Sequence, residues 1–180
     1  MSKALVLYAS KYGSTKELAE VIGEELRAEV FEVAHAPEDF SGYELVVLGS
    51  PLYCANYLES MNHFLRNRGK AFAGKAVAAF VLGATELEIQ PGLTGEEDET
   101  RYTQDEWAEG LAKRTAGRVI AFRGFGGRMV ANQLDLRDRG MLEWFFRYLM
   151  RKPLEGFDQI DLEQVRLWAR GLPGLVSSEV

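Results

Sequence analysis

A short hydroxyl-rich stretch near the start of the chain has the residue types that bind an anion. Ser10, Ser14 and Thr15 carry hydroxyl groups, and Gly13 lies among them. The stretch connects an apolar run, Leu5–Tyr8, to a helical pattern. A strand that enters a tight turn and then a helix directs backbone N–H groups, and the positive end of the helix dipole, at one point. Because glycine lets a ligand approach the backbone closely, the stretch predicts a phosphate-binding turn.

The same turn has an ordinary structural interpretation. Turns between strands and helices are commonly polar, and Ser14 with Glu17 has the spacing of a capping box, which predicts that a helix begins here. The stretch matches neither the G-x-x-x-x-G-K-[ST] loop of triphosphate-binding proteins nor the G-x-G-x-x-G dinucleotide fingerprint. A single phosphate, as in a mononucleotide, is therefore the ligand that fits it best.

Apolar strands and helical patterns alternate along the rest of the chain. The five predicted strands are Leu5–Tyr8, Glu29–Val33, Glu44–Gly49, Val77–Leu82 and Val119–Phe122. Their alternation with helices predicts an α/β fold, in which an open parallel sheet is covered by helices on both faces. With 180 residues and no internal repeat, the sequence predicts a single domain over residues 1–180.

Three loops of such a sheet would meet at one edge. Ligands bind outside the carboxyl ends of parallel strands, and the strand order 2-1-3-4-5 would bring together the loops after strands one, three and four. These loops are Ser10–Thr15, Ser50–Tyr57 and the long polar segment Gly83–Tyr102. Tyr53 follows a central strand, so its ring is the candidate for stacking on an aromatic ligand. Tyr57 is expected to begin a helix with Asn56 as its N-cap, and Thr103 with Glu106 predicts a second capping box.

The segment Arg123–Lys152 is unusual for a surface element of an α/β domain. Its helical part, residues 141–150, carries an apolar area wider than a single stripe, including Trp144 and Tyr148. This area could complete the core, form a dimer interface, or bind a quinone, a porphyrin or a membrane surface. The segment also holds four arginines that could pair with the carboxylates of a substrate, namely Arg123, Arg128, Arg137 and Arg139. The closing helix is expected to stop at Leu172-Pro173-Gly174.

Composition excludes several classes of function. The net charge of −6 argues against nucleic acid as a partner. Cys54 is the single cysteine, which rules out an intramolecular disulfide, and His35 and His63 lack ligand spacing, so no metal site is expected. Only Met1 to Ala4 precede the first strand and no apolar run is long enough to span a membrane, so we expect a cytoplasmic protein. No nucleophile–base pair is evident, and the catalytic residues are unknown.

The pattern LVLYASKYGST followed by VVLGSPLY resembles the flavodoxin family. The resemblance implies a flavodoxin-like fold, with a five-stranded sheet in the order 2-1-3-4-5, that binds FMN. It implies that the phosphate is held by Ser10, Tyr12, Gly13, Ser14 and Thr15. It further implies that the flavin ring lies against Ser50, Pro51, Leu52, Tyr53 and Cys54, and that the third loop closes over the ring from Gly83, Ala84 and Thr85. Tyr12 departs from the family pattern, because a threonine usually stands at its position.

The tail of the chain is similar to the menaquinone-dependent protoporphyrinogen oxidase branch. An insert at about residues 123–152 precedes a closing D-x-E-Q-V-x-x-W-A segment, Asp161–Ala169. This resemblance implies an FMN oxidoreductase that transfers electrons between an organic donor, such as protoporphyrinogen, and a quinone. It leaves a peripheral membrane location or self-association through the 141–150 helix open. The alternatives are a flavodoxin-type electron carrier that serves a redox partner, and a non-enzymatic α/β interaction module.

Overall fold

The computed structural model describes residues 3–53, 56–83, 103–148, 151 and 153–176. Most of the secondary structure belongs to one open sheet and the helices packed on it. The strands are β1 (Ala4–Tyr8), β2 (Glu29–Glu32), β3 (Leu45–Tyr53), β4 (Asn56–Tyr57), β5 (Ala76–Gly83), β6 (Arg118–Gly126), β7 (Arg128–Met129) and β8 (Phe157–Asp158). The α-helices are α1 (Ser14–Leu26), α2 (Glu59–Arg68), α3 (Gln104–Lys113), α4 (Leu136–Tyr148) and α5 (Leu162–Val176).

The sheet has the order β2-β1-β3-β5-β6, and all five of these strands are parallel. Counting only these strands, the order is 2-1-3-4-5, which confirms the predicted topology. Three central strands, β1, β3 and β5, are apolar along most of their length and fully buried there, as expected for parallel strands covered on both faces. Their carboxyl ends form one edge, since Tyr8 is in register with Gly49 and Pro51 with Leu82.

Two apolar layers hold the helices to the sheet. Helices α1 and α5 pack on one face, around Ile22, Phe80 and Leu172. Helices α2 and α3 pack on the other face, around Phe72 and Leu111. Both layers are made of side chains that alternate along the strands, because successive strand residues point to opposite faces. The helices therefore hold the strand ends in fixed positions.

The segment after the second central strand differs from its prediction as a loop. Strand β3 continues through Tyr53, and β4 pairs with it in antiparallel orientation, with Leu52 opposite Tyr57. The expected helix start with Asn56 as N-cap is therefore wrong, because α2 begins at Glu59 after Leu58. Backbone pairing in this hairpin replaces the helical hydrogen bonds that the local pattern suggested.

The predicted helix start at Ser14 is confirmed, whereas its capping box and the predicted end of the closing helix are wrong. Ser14 is the first residue of α1, and the N-cap is Gly13, so no side chain caps this helix and the expected capping box with Glu17 does not form. The capping box of Thr103 at α3 is confirmed. Helix α5 continues through Pro173 to Val176 instead of stopping at the proline.

The segment between β6 and α5 forms a separate strap on the edge of the sheet. It contains the short antiparallel pair β7–β8 and helix α4, which begins at Leu136, five residues before the predicted 141–150 helix. The Gly127 amide donates to the Gly83 carbonyl at 2.8 Å, and the Gln159 amide donates to the Gly127 carbonyl at 3.0 Å. These bonds anchor the base of the strap at the end of β5. None of the described helices is long and apolar enough to cross a bilayer.

Candidate functional site

The turn from Ser10 to Thr15 follows β1 at the carboxyl edge of the sheet. Gly13 has a left-handed conformation, with φ of 92°, which favours glycine because other residues are strained there. Its amide donates to Ser10 Oγ at 3.0 Å, and its carbonyl accepts from the Glu17 amide at 3.0 Å. Ser10 still has its hydroxyl proton to donate, because in this bond the oxygen acts only as an acceptor.

The start of α1 has the chemistry that a phosphate group requires. The amides of Ser14, Thr15 and Lys16 have no intrahelical acceptor, because they belong to the first turn of a helix. No side chain caps this end of α1. Uncapped amides at the positive end of a helix dipole favour an anion. The residues present therefore fit a single phosphate group, held by main-chain amides and by the nearby hydroxyls.

Tyr12 and Lys11 are bonded to the strap. The Tyr12 hydroxyl donates to Asp138 Oδ2 at 2.6 Å, and Lys11 Nζ lies 2.7 Å from the same oxygen and 2.8 Å from Asp135 Oδ2. Burial, assisted by the bond to Asp138, raises the pKa of the Tyr12 hydroxyl. The hydrogen bond to Asp135, followed by that to Asp138, raises the pKa of the Lys11 ammonium. The Tyr12 hydroxyl, expected at the phosphate, is therefore occupied by a carboxylate.

Tyr53 is the residue of the second stretch that lies beside this turn. Its ring meets the ring of Tyr12 edge-on, with centroids 6.5 Å apart and an interplanar angle of 74°. Burial is the main reason that the pKa of the Tyr53 hydroxyl is raised to about 12, with smaller contributions from Tyr12 and Asp138. Two aromatic rings therefore line the side of the turn that faces β3, where a flat ligand could be held.

The three residues before Tyr53 have structural roles in the hairpin. Ser50 is fully buried, and its hydroxyl donates to the Pro51 carbonyl at 3.0 Å and accepts from the Leu58 amide at 3.2 Å. Pro51 is buried in register with Leu82, and Leu52 packs against the core. Their contact with a flavin ring stays a prediction.

Tyr57 belongs to the packing of α3. Its ring contacts the ring of Trp107 edge-on, with centroids 5.5 Å apart, and its hydroxyl donates to the Trp107 carbonyl at 2.7 Å. Tyr57 therefore has a packing role in this structure.

A buried amide that sequence reasoning missed lies at the end of β5. Gln104, the first residue of α3, packs beside Gly83 and Gly124, and its buried Nε2 atom has no hydrogen-bond partner among the residues that the structure describes. A buried donor without an acceptor is costly, so a ligand that offers one would be favoured here. No signal in the sequence singles out Gln104, because its burial depends on tertiary contacts.

Residues Cys54, Ala84 and Thr85, and the rest of the third loop through Tyr102, lie outside the described residues.

Two of the four arginines proposed for substrate carboxylates are already paired. Arg128 Nη1 lies 2.6 Å from Glu17 Oε2, and Arg128 Nε lies 2.7 Å from Asp158 Oδ2. Arg139 pairs with Glu143 one turn along α4. Arg123 and Arg137 are exposed.

The strap also contains a cavity of about 540 Å³. The residues that line it are Glu143, Arg147, Arg151, Pro153 and Leu154. None of them belongs to the three loops at the sheet edge. Among the described residues, no group of three potential ligands could hold a metal ion.

A family model described as "Flavodoxin domain" matches residues 5–153. The chain belongs to the flavodoxin family. No curated protein matches it. Nothing in the comparisons supports the narrower assignment to the protoporphyrinogen oxidase branch.

Solved flavodoxin structures share the fold at low sequence identity. A flavodoxin from the domain Archaea aligns with a TM-score of 0.58 and 17% identity, over 97% of this chain and 98% of its own. Oxidised flavodoxin 1 from Bacillus cereus aligns with a TM-score of 0.55 and 18% identity, over 99% of this chain and 100% of its own. A Fusobacterium nucleatum flavodoxin bound to flavin mononucleotide aligns with a TM-score of 0.50 and 16% identity, over 67% of this chain and 70% of its own. The flavodoxin fold of this chain is therefore shared along nearly its whole length.

Proposed function

We propose that this chain is an FMN-binding, electron-transferring flavoprotein. The observation that carries the proposal is the uncapped start of α1 behind the left-handed Gly13, placed beside Tyr53 at the carboxyl ends of β1 and β3. In an open sheet of this order, the strand connections diverge at β1 and β3, which is where such folds bind mononucleotides. A flavodoxin bound to FMN shares the fold, and FMN is the cofactor that the family and this geometry both support.

The residues have distinct roles under this proposal. The amides of Ser14 and Thr15, with the hydroxyls of Ser10, Ser14 and Thr15, hold the phosphate. Tyr53 provides an apolar face beside the ring, and the unpaired amide of Gln104 offers a donor to a ring carbonyl. Bound FMN supplies the electron-transfer chemistry, while the protein positions it and sets its electrostatic surroundings. The full chain, residues 1–180, is treated as one flavodoxin-like domain with its insert at about 123–152.

A redox partner is the simplest source and destination of the electrons. The finer candidate is an oxidoreductase that takes electrons from an organic donor, possibly protoporphyrinogen, and passes them to a quinone. The cavity on the strap favours an anionic organic molecule, because Arg147 and Arg151 both line it. Turnover of protoporphyrinogen with a menaquinone analogue would support this candidate over a plain electron carrier. A variant lacking residues 126–151 should lose that turnover while it retains FMN.

Helix α4 is the proposed contact surface for a membrane or a second copy of the chain. Four large apolar side chains are strongly exposed on it: Leu136 (92%), Met141 (42%), Trp144 (57%) and Tyr148 (61%). Trp144 and Tyr148 also lie close to each other, with ring centroids 6.0 Å apart. Exposed aromatic residues of this kind are typical of contact surfaces. Flotation with lipid vesicles and sedimentation of the free protein distinguish the two contacts.

The decisive experiment measures flavin binding directly. The purified protein is stripped of small molecules and titrated with FMN, and the flavin fluorescence and absorbance are followed. We expect saturable binding, weakened in Ser14→Ala because one phosphate donor is lost. Ser41→Ala is the matched control, since Ser41 is exposed and bonded to Asp39 in another loop. Absence of binding by the wild-type protein would reject the proposal, and equal weakening in both variants would reject the role of Ser14.

A further inference from the structure

Helix α4 is attached to the turn after β1 by two carboxylates. Asp138 accepts from both Lys11 and the Tyr12 hydroxyl with a single oxygen. One oxygen of Asp135 lies against Lys11, while the other accepts from the Asp138 amide at the start of α4. The Asp135 amide in turn donates to the Tyr12 hydroxyl oxygen at 3.3 Å. Two residues of the strap and two of the turn thus form one closed network, called the latch below.

The Lys11–Asp138 pair is the more shielded part of the latch. The Asp138 side chain is 16% exposed and that of Lys11 is 35% exposed, whereas that of Asp135 is 49% exposed. Ion pairs that are partly withdrawn from water are screened by salt less than fully exposed pairs. One ammonium group meets two carboxylates here, so the latch carries a net charge of about −1 beside the uncapped amides of α1. A phosphate group arriving at those amides would meet a neighbouring negative charge.

The two side chains held by the latch are also the ones a phosphate would use. Lys11 and Tyr12 directly precede Gly13 in the turn, and an ammonium group and a phenolic hydroxyl are both good donors to phosphate oxygens. In the structure they donate to carboxylate oxygens, which are anionic acceptors as phosphate oxygens are. We propose that Asp135 and Asp138 take the place of the FMN phosphate on Lys11 and Tyr12, so that FMN binding and docking of α4 oppose each other.

This inference rests on the proposed FMN function and adds a consequence to it. The strap is connected to the turn by the latch, and to α1 by Arg128 with Glu17 at its base. If the latch opens, the start of α4 is released, while the base of the strap stays attached to α1 through Arg128 and Glu17. Helix α4 carries the exposed Trp144 and Tyr148, so its docking would report whether the cofactor is bound. The coupling is reciprocal: a variant that releases α4 and leaves the phosphate donors in place must bind FMN more tightly.

The test compares two single substitutions on the same helix, with two ligands. Asp138→Asn removes a latch charge, and Glu143→Gln removes an acid that pairs with Arg139 along α4 and lies outside the latch. We expect Asp138→Asn to tighten FMN binding by about fivefold or more, in the usual range of coupling between sites. Riboflavin lacks the phosphate, so its affinity should be unchanged in both variants. Glu143→Gln should bind both flavins as the wild type does.

A second readout requires no bound flavin. Trypsin cleaves after Arg137 and Arg139, at the start of α4, and cleavage should be faster when the latch is open. We expect faster cleavage in flavin-free Asp138→Asn than in Glu143→Gln, and faster cleavage of the wild type when FMN, but not riboflavin, is added. Lys11→Met should weaken FMN binding, because the phosphate loses its cation. This variant keeps the test available if Asp138→Asn fails to fold.

Each result separates the inference from the function on which it rests. Equal FMN affinity in the wild type and Asp138→Asn, or the same change for riboflavin as for FMN, would overturn the latch while leaving FMN binding intact. Cleavage of the flavin-free wild type and Lys11→Met at the same rate would overturn it too. If neither the wild type nor Asp138→Asn binds FMN, the proposed function itself fails and the inference fails with it.

Discussion

Gly49 in the central strand β3 offers a sharp test of the packing beneath the site. The ring of Phe80, a fully buried side chain on the neighbouring strand, lies directly over it. A Cβ atom added at Gly49 would come closer than 3.0 Å to three carbons of this ring, a distance that real Cβ atoms essentially never show. The ring cannot easily move, because Phe125 and Trp168 pack against it with centroids 6.3 Å away. We therefore predict that Gly49→Ala destabilises the fold by overpacking.

The expected loss of unfolding free energy in Gly49→Ala follows from the cost of placing extra carbon atoms in a packed core. Such substitutions cost about 1 to 3 kcal/mol, and we expect about 2 to 3 kcal/mol here because the ring is held on two sides. For a chain of this size, that corresponds to a fall of roughly 4 to 12 °C in the melting temperature. The free energy of unfolding is measured by urea titration, and the melting temperature by circular dichroism.

Two further variants make the test specific. Gly42→Ala makes the same exchange where nothing lies within 4 Å of the added atom, so it should be neutral or stabilise by about 0.4 to 1 kcal/mol. Phe80→Leu should absorb part of the clash, so the double variant should lose less than the sum of the two single losses. A loss below about 0.5 kcal/mol in Gly49→Ala, the range of ordinary surface changes, would refute this account of the packing.

Two other predictions concern the helices. Glu25 of α1 accepts from Arg170 and Arg166 of α5, chiefly Arg170, and these bonds lower its pKa to about 2 from 4.5. Because the folded-state value is the lower one, this stability is present above pH 4.5 and is lost as the pH falls from 4.5 toward 2. Glu25→Gln should therefore show a smaller loss of unfolding free energy over that interval in urea titrations, and an unchanged loss would contradict the pairing. Thr103→Ala removes the cap of α3 and should lower the free energy of unfolding by about 1 kcal/mol. Thr103→Ser keeps a hydroxyl group and should retain most of that stability. An equal loss of unfolding free energy in both variants would exclude the hydroxyl cap.

The sequence was most informative where one physical constraint decides the pattern. Continuous apolar runs such as Leu45–Leu48 identify parallel strands, because a strand buried on both faces has no polar position. The alternation of strands and helices gives the fold class for a similar reason. The anion-binding character of the turn also follows locally, since it depends on Gly13 and on the amides of the helix that comes next.

Predictions failed where a distant segment decides the outcome. Tyr57 has helical spacing with the residues that follow it, yet Asn56–Tyr57 forms a strand because Leu52 and Tyr53 extend beyond the neighbouring strands and pair with it. Helix α5 passes through Pro173 because packing against α1 outweighs the local cost of proline. Gln104 became a candidate only when its amide proved to be buried and unpaired at the end of β5.

By itself, the sequence determined the α/β class and the sheet order implied by its family resemblance, and it predicted the place of a phosphate-binding turn. These features depend on burial patterns and backbone groups, which are short-range properties of the chain. Only the tertiary structure brought Asp138, 127 residues away, into contact with Lys11. Charges attract across any sequence separation, and no local pattern records which carboxylate the fold will place beside a given lysine.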